Sequence, residues 1–258
     1  MDDIFPFINE RTLFSTQWQF RKGGVALAEY ERQMREEAYP ALERMKKRCL
    51  DENILQPSIV YGYFPCAEID GSLVIFREDS RTEWLRFHFP RQDHGAHLCL
   101  SDYFRNSENS QPTDVVALMG VTMGHRVTEI AQQWYQAGDY KNYLYLHGLG
   151  VECAEALAEW AHRHIRQEWG IGGEDSPDVQ KLFKKHYRGC RYSFGYPACP
   201  DLEDQAKLFE LLQPERIGLM LSEQFQLEPE QSTTAVILHH PMAKYFNVTK
   251  SQDCTVPT

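Results

Sequence analysis

One arginine stands in a stiff, crowded turn: the segment GCRYSFGYPACP, residues 189–200, contains Arg191 and no other basic residue. A guanidinium is a planar, two-pronged donor for a carboxylate or a phosphate, and a rigid turn reduces the rotamer entropy that it loses on binding. Gly195 lets the backbone approach a partner closely, and two prolines stiffen the turn. Rings that can stack on a flat group or lie against a cation come from Tyr192, Phe194 and Tyr196. From composition alone, a binding turn and a well-packed structural loop are both open.

Other patterns that carry chemistry are missing or weak. The chain has no G-x-G-x-x-G and no P-loop, and the two-glycine run at residues 120–124 is more typical of an ordinary turn. No HExxH is present: His162 and His164 point apart on a helix, and His239 and His240 lie on opposite faces of a strand. No G-x-S-x-G is present either. The sequence therefore predicts no metal site and no catalytic residue.

Composition and charge restrict the class of protein. The net charge of -10 and the pI of about 5.5 disfavour nucleic-acid binding, because such domains usually present a basic surface. Seven cysteines without a CxxC pair are typical of a reducing cytoplasm. No apolar run approaches the roughly 18 residues of a membrane span, and the N-terminal MDDIFPFINE is acidic where a signal peptide is basic. We therefore expect a cytoplasmic protein that binds neither nucleic acid nor membrane.

Strands and helices are predicted in separate blocks. SIVYGYFPC and GSLVIFRED predict a hairpin, followed by strands from EWLRFHFP, DVVALMGVTM and TTAVILHHP. Helical spacing is found over residues 26–50, where Pro40 is expected to interrupt or kink the helix, and over residues 177–186 and 200–212. This order predicts an α+β fold with a largely antiparallel sheet rather than alternating βαβ units.

The longest predicted helix covers residues 142–169. Its apolar stripe is expected to pack on the sheet and consists of Leu146, Leu149, Cys153, Ala156, Leu157, Trp160 and His164. Another face carries Glu152, Glu155 and Glu159. Charged residues are rarely buried without a partner, so a solvated surface is the interpretation that this face favours.

Six segments match, in order, motifs of one known family. RYSFGYPACPDLEDQAKLFELL is similar to R-P-A-x-G-Y-P-x-x-P-[DE]-H-T-E-K, IVYGYFPC to V-V-G-x-[FW]-P-A, and HLCLSDYF to Y-C-L-[AS]-D-F. AEALAEWAHRHIRQEWG is similar to A-E-A-F-A-E-x-L-H-E-R-V-R, LMLSEQFQLEP to G-[MI]-[KR]-L-T-E-S, and HPMAKYFNV to S-K-Y-[FY]-A-V. On these segments, which cover most of residues 57–248, the chain resembles the S-adenosylmethionine-binding reactivation domain of cobalamin-dependent methionine synthase.

The resemblance implies a fold and a function. The fold is a C-shaped single α+β domain, with a twisted, largely antiparallel sheet flanked by helices. The function is a reductive methylation, in which S-adenosylmethionine methylates cob(II)alamin carried by a partner domain, while flavodoxin or a similar donor supplies an electron. The chain is then a methyltransferase module that acts only with the cobalamin-binding domain of methionine synthase.

The same resemblance implies the residues of the ligand site. Arg191 corresponds to the motif arginine, and its guanidinium is expected to bind the methionyl carboxylate. Ser193 stands where the family has an alanine that contacts the ligand through its backbone, and Tyr196 matches the motif tyrosine. Tyr245 and Phe246 match the aromatic pair of S-K-Y-[FY] and are expected to meet the adenosine and the sulfonium.

Two positions depart from the family pattern, and one glutamate agrees with it. Glu155 matches a family glutamate near the ligand. The family's N-terminal aspartate, which binds the ligand amino group, aligns with Glu10 when Trp18 sets the register and with Asn9 when the isoleucine sets it; we prefer Glu10. A glutamate that precedes the arginine motif in the family is replaced by Lys185.

The sequence also predicts how the chain is divided into segments, and it leaves two alternative functions open. Residues 1–56 form an N-terminal extended and helical part of the domain, residues 57–248 the ligand-binding part, and residues 249–258 a polar tail. A non-catalytic module that docks on cobalamin or its carrier domain remains open. So does a free-standing small-molecule methyltransferase, although the sequence offers no general base for it.

Overall fold

An antiparallel sheet forms the centre of the protein, in a computed structural model that describes residues 1–79 and 82–249. The strands of the described residues are β1 (Ser58–Ile69), β2 (Ser72–Phe76), β3 (Glu83–Phe87), β4 (Asp114–Thr122), β5 (Cys190–Ser193), β6 (Met220–Leu221), β7 (Leu227–Glu228) and β8 (Ser232–Leu238). The strand order of the central sheet is β3-β2-β1-β4-β8-β5, and the two very short strands β6 and β7 form a separate hairpin. β5 therefore lies at an edge of the main sheet.

Local sequence fixes the pairing of the first two strands. Ile69 pairs with Ser72, so the connection is a two-residue turn. The turn residues Asp70 and Gly71 have φ angles of 50° and 79°. An Asp-Gly pair suits this left-handed backbone, which matches the twist of the strands that it joins.

Helices cover both faces of the sheet. They are α1 (Glu10–Thr12), α2 (Leu27–Gln33), α3 (Tyr39–Asp51), α4 (His125–Gln136), α5 (Tyr140–Glu168), α6 (Val179–Leu182) and α7 (Asp204–Leu212). None of the helices in the described part of the chain is both long enough and apolar enough to cross a membrane. The mixed composition and the antiparallel pairing confirm the predicted α+β fold class.

Alternation along β4 separates two hydrophobic clusters. Ala117 and Met119 pack in the cluster that contains Leu149 of α5 and the N-terminal helices. Val116 and Leu118 pack in the other cluster, which contains α7. Because successive side chains of a strand point to opposite faces, the sheet lies between a layer that contains α5 and a layer that contains α7.

The helical segment around Pro40, where the sequence predicts an interruption or a kink, becomes irregular just before this proline but does not end there. The segment runs on from α2 through a π-helical turn, Met34–Ala38, into α3, where Pro40 is in the first turn. In an α-helix, the proline ring would clash with the carbonyl four residues earlier. A π turn spaces its hydrogen bonds by five residues, which lets the helix continue past the ring.

Two further helices are shorter than predicted. Only residues 179–182 of the predicted segment 177–186 are helical, and their N-cap Asp178 accepts a hydrogen bond from the Gln180 backbone N–H. α7 begins at Asp204 rather than near Pro200, because Asp201 accepts from the Glu203 backbone N–H and forms a turn instead. The predicted tail lies almost entirely outside the described residues.

Gly189 fixes the point where the chain enters β5. Its φ is +87°, and a Cβ there would lie 2.2 Å from the carbonyl oxygen of Leu238 in β8. We expect Gly189→Ala to lower the free energy of unfolding by about 2 kcal/mol, through backbone strain and displacement of β5. Urea denaturation measures this change. Gly173→Ala is the matched control, because a Cβ at Gly173 meets nothing within 4 Å; equal stability of the two variants would contradict the prediction.

Candidate ligand-binding site

The pairing of β5 with β8 decides which way Arg191 points. Arg191 lies opposite Ile237, and Ser193 lies opposite Ala235. Ile237 and Ala235 belong to the cluster on the α5 side of the sheet. Arg191 and Ser193 therefore face α5, whereas Tyr192 between them packs in the opposite cluster.

The Arg191 guanidinium forms a hydrogen bond to α5, and two of its nitrogen atoms have no hydrogen-bond partner among the described residues. Its Nη2 donates to Glu155 Oε2 over 2.9 Å, and the Arg191 side chain is 12% exposed. Nε and Nη1 are buried and have no hydrogen-bond partner among the described residues. Burial lowers the pKa of Arg191, but the charges of Glu155, Tyr245 and Glu159 offset it, and the pKa stays above its ordinary value. Buried donors are nearly always satisfied in folded proteins, so these two N–H groups point to a missing acceptor.

A cavity of about 250 Å³ opens beside this guanidinium. Six of the seven residues predicted for the ligand site line it: Glu155, Arg191, Ser193, Tyr196, Tyr245 and Phe246. They come from α5, from β5 and the turn after it, and from the C-terminal segment that follows β8. The structure thus brings together residues that are up to 91 positions apart, from Glu155 to Phe246.

The turn after β5 is tied together by hydrogen bonds. The backbone N–H of Gly195 donates to the Cys199 carbonyl over 2.9 Å, and the N–H of Cys199 donates to the Tyr196 carbonyl over the same distance. Gly195 has a φ of +85°, and a Cβ there would lie 2.9 Å from Leu202. Ser193 accepts from the Cys199 thiol through its carbonyl oxygen. This network fixes the backbone of the turn beside the cavity.

Tyr192 fixes the aromatic wall that follows β8. Its hydroxyl donates to the Lys244 carbonyl over 2.7 Å. Its ring makes edge contacts with Tyr245 and Phe246, at centroid distances of 5.5 Å and 6.5 Å. The Lys185 Nζ lies 4.2 Å from the Tyr245 ring centroid. Tyr245 therefore contacts both a cation and an aromatic ring, while 48% of it remains exposed.

A second cavity of about 400 Å³ lies next to the first one, with which it shares Glu155, Arg191, Tyr196 and Tyr245. We call it the inner cavity. The N-terminal segment lines it with Asn9, Thr12 and Gln17, and α5 adds Glu152 and Glu159. The inner cavity is thus the place where the N-terminal segment, α5 and β5 meet around one arginine.

The N-terminal residue at this cavity is Asn9, not the preferred Glu10. Glu10 does not line the inner cavity but a different surface cavity, which Asn9 also lines, together with Tyr30 and Met34. Asn9 is the N-cap of α1, and its side chain accepts a hydrogen bond from the Thr12 backbone N–H over 3.3 Å. The geometry therefore favours the alternative alignment, which places a neutral amide where the family has a carboxylate.

Two glutamates of α5 are buried, so the interpretation of that face as a solvated surface is wrong for them. Glu152 is 5% exposed and Glu159 is 9% exposed. Burial, and then the nearby charge of Glu155, raises the pKa of Glu152 to about 7. Burial also raises the pKa of Glu159, although the charges of Arg191 and Arg166 oppose this effect. The spacing of three and four residues that placed them on one face was the signal that could have predicted a shared cavity.

A buried ion pair contacts one of the residues that line the inner cavity. Arg166 near the end of α5 is fully buried and donates from Nε and Nη2 to the two carboxylate oxygens of Asp175, over 2.9 Å and 2.8 Å. Its guanidinium carbon also lies 4.1 Å from the ring centroid of Tyr187, a residue that lines the inner cavity. This pair fixes the Tyr187 ring against α5.

Fold and cavity together define an α+β domain with a ligand cavity built around a buried arginine. The family model described as the vitamin B12 dependent methionine synthase, activation domain, matches residues 1–256. The chain therefore belongs to this family.

Individual relatives agree with this membership. The chain is 44% identical over 262 residues to methionine synthase of Mycobacterium leprae and 43% identical over 261 residues to that of Mycobacterium tuberculosis. Each alignment covers 95% of this chain and 22% of the relative, so the chain spans about a fifth of their length. A crystal structure of the MetH reactivation domain bound to AdoHcy superposes with a TM-score of 0.83 at 26% identity, covering 96% of this chain and 78% of the other.

Proposed function

We propose that the domain binds S-adenosylmethionine in the two adjacent cavities around Arg191 and presents its methyl group to cob(II)alamin during reductive reactivation of methionine synthase. The observation that carries this proposal is the Arg191 guanidinium, buried at the cavity with two unpartnered N–H donors. S-Adenosylmethionine has a carboxylate that fits those donors and a flat adenine ring that fits the aromatic wall. The relative that was crystallised with AdoHcy, the demethylated form of this ligand, supports the same chemistry.

Positioning is the main contribution of this chain. Arg191 fixes the carboxylate end of the ligand, and Tyr245 and Phe246 contact its adenosine and sulfonium end. Tyr196 is 58% exposed at the mouth of the cavity, next to the place where a partner must approach. When bound, S-adenosylmethionine supplies an activated methyl group, and a fixed orientation makes its encounter with the partner's cobalt effectively local. No residue of this chain is assigned a proton-transfer role.

The proposal includes partners and a compartment. The cobalamin is carried by the cobalamin-binding domain of methionine synthase, and flavodoxin or a similar protein supplies the electron. The six cysteines among the described residues are all free and buried, which fits a reducing cytoplasm.

Calorimetric titration with S-adenosylmethionine is the first test. The proposal predicts saturable binding of this ligand at one site. A module that only docks on cobalamin or its carrier domain gives no heat with this ligand. The second test adds the cob(II)alamin-loaded partner domain and a chemical reductant, and follows the conversion to methylcobalamin by its absorbance. Conversion must require both this chain and S-adenosylmethionine; methylation of a small acceptor without a cobalamin domain would instead support a free-standing methyltransferase.

A further inference from the structure

The charges that line the inner cavity do not balance. Three carboxylates face it, from Glu152, Glu155 and Glu159, against two cationic side chains, Lys185 and Arg191. Arg191 is paired with Glu155. The ammonium of Lys185 donates to the Cys190 sulfur over 2.6 Å and lies 4.2 Å from the Tyr245 ring centroid. Glu152 is left 5% exposed, with no salt bridge among the described residues.

Resting on the proposed function, we infer that Glu152 binds the α-ammonium group of S-adenosylmethionine and thereby determines specificity for an amino-acid ligand. In this ligand the carboxylate and the ammonium are attached to the same carbon. When Arg191 holds the carboxylate, the ammonium must lie within a few ångströms of it, in the inner cavity that Arg191 and Glu152 both line. A buried carboxylate without a cation is the strongest partner that such a group can find.

The other oxygen atoms of the inner cavity are poorer partners. Asn9 is neutral, and its side-chain oxygen already accepts from the Thr12 backbone N–H. Glu155 is engaged by Arg191. Glu159 has a buried oxygen without a partner, but the positive charges of Arg191 and Arg166 already act on it, and they would repel an ammonium there. Glu152 lies one turn of α5 before Glu155, away from Arg166.

The N-terminal segment holds Glu152 in place. A π-helical turn, Leu13–Gln17, brings Gln17 to the inner cavity, where its side-chain amide lowers the pKa of Glu152 and so partly opposes the effect of burial. Gly148 of α5 makes this approach possible, because a Cβ there would lie 2.8 Å from the Gln17 Cβ. Replacing an amide partner with a full cation would strengthen the interactions of the carboxylate considerably.

Binding should also release a proton. Burial and the Glu155 charge raise the pKa of Glu152 to about 7, so in the free domain this carboxyl is partly protonated at neutral pH. A bound ammonium favours the charged form and lowers that pKa. The affinity should therefore rise as the pH rises through about 7. The other titratable groups that line the inner cavity are Glu155 and Glu159 of α5, Lys185 and Tyr187 before β5, Arg191, Tyr196 and Tyr245.

The decisive experiment compares two ligands and three proteins by calorimetry. The ligands are S-adenosylmethionine and its deamino analogue, in which hydrogen replaces the α-ammonium. The proteins are the wild-type domain, Glu152→Gln, and Glu159→Gln as the matched control on the same helix. We expect Glu152→Gln to weaken S-adenosylmethionine binding at least about tenfold and to leave the deamino analogue nearly unchanged, because only the first ligand has the charge that Glu152 binds. Glu159→Gln should not discriminate between the ligands.

Several outcomes would overturn the inference. Equal losses for both ligands in Glu152→Gln would mean that the residue only supports the shape of the cavity. Equal affinity of the wild-type domain for the two ligands would show that no group binds the ammonium, whatever the fate of the variant. Proton release, measured in buffers of different ionisation enthalpy, must fall in Glu152→Gln and persist in Glu159→Gln. Failure of the wild-type domain to bind S-adenosylmethionine at all would instead overturn the proposed function, and the assignment of Glu152 with it.

Discussion

Replacing Arg191 with alanine should weaken the binding of S-adenosylmethionine by on the order of 2 kcal/mol or more, which is roughly 30-fold in the dissociation constant. The variant removes the two unpartnered donors that line the cavity and leaves Glu155 facing the ligand carboxylate without its cation. The lost attraction is therefore joined by repulsion between two carboxylates. Titration calorimetry measures the change directly.

Two further variants test whether the shape of the Arg191 guanidinium matters beyond its charge, and whether any nearby arginine would have the same effect. Arg191→Lys keeps the positive charge but loses the planar fork, so we expect an intermediate affinity. Arg188→Ala is the matched control: Arg188 is three residues earlier, donates to the His239 carbonyl and to Glu174, and lines neither cavity. Wild-type affinity in Arg191→Ala, or an equal loss in Arg188→Ala, would contradict the assigned role.

The largest expected loss of stability follows from breaking the buried pair of Arg166 and Asp175. Arg166→Met should lower the free energy of unfolding by about 3–5 kcal/mol, because it leaves the carboxylate of Asp175, 5% exposed, without a counter-charge. The contact with the Tyr187 ring is lost as well. Urea denaturation followed by circular dichroism measures this change.

A surface arginine with nearly the same contacts provides the control. The Arg48 guanidinium also lies 4.1 Å from an aromatic centroid, that of Trp134, and also pairs with a carboxylate, that of Glu52. Both partners of this ion pair are more than 40% exposed, so Arg48→Met should cost at most about 1 kcal/mol. The double variant Arg166→Met/Asp175→Leu should recover part of the loss, since it removes the orphaned charge. If the Arg166 and Arg48 variants lost equal stability, burial would not determine how much these ion pairs contribute to the free energy of unfolding.

Several parts of the fold and the cavity could be predicted because they depend on local pattern. The Asp70–Gly71 turn and the alternating strands predicted the antiparallel sheet. The composition of residues 189–200 singled out the guanidinium that lines the cavity, but Arg191 lies in strand β5 rather than in the turn that was expected, and the turn follows it. The helical spacing of the α5 glutamates placed them correctly on one face. Their burial depends instead on the N-terminal segment that covers them, more than 130 residues away in sequence, and no local pattern reports such a contact.

The choice between Glu10 and Asn9 shows a second limit. The two alignments differ by one residue between Ile8 and Trp18, and the structure has a π-helical turn, Leu13–Gln17, in this interval. A π turn takes up more residues than an α turn, so residues before and after it follow different registers. The alignment on Trp18 fits the residues after the π-helical turn, whereas Asn9, the residue at the inner cavity, lies before it. Regular helical spacing could not predict this irregularity, nor the continuation of α2 into α3 past Pro40.

A crystal structure of the domain with S-adenosylmethionine tests the central claim most directly. We expect the methionyl carboxylate within hydrogen-bond distance of the Arg191 Nε or Nη1 and the adenine ring against the wall formed by Tyr245 and Phe246. A ligand whose carboxylate lies elsewhere, with the Arg191 guanidinium still bonded to Glu155 alone, would contradict the role of this residue and the function proposed from it.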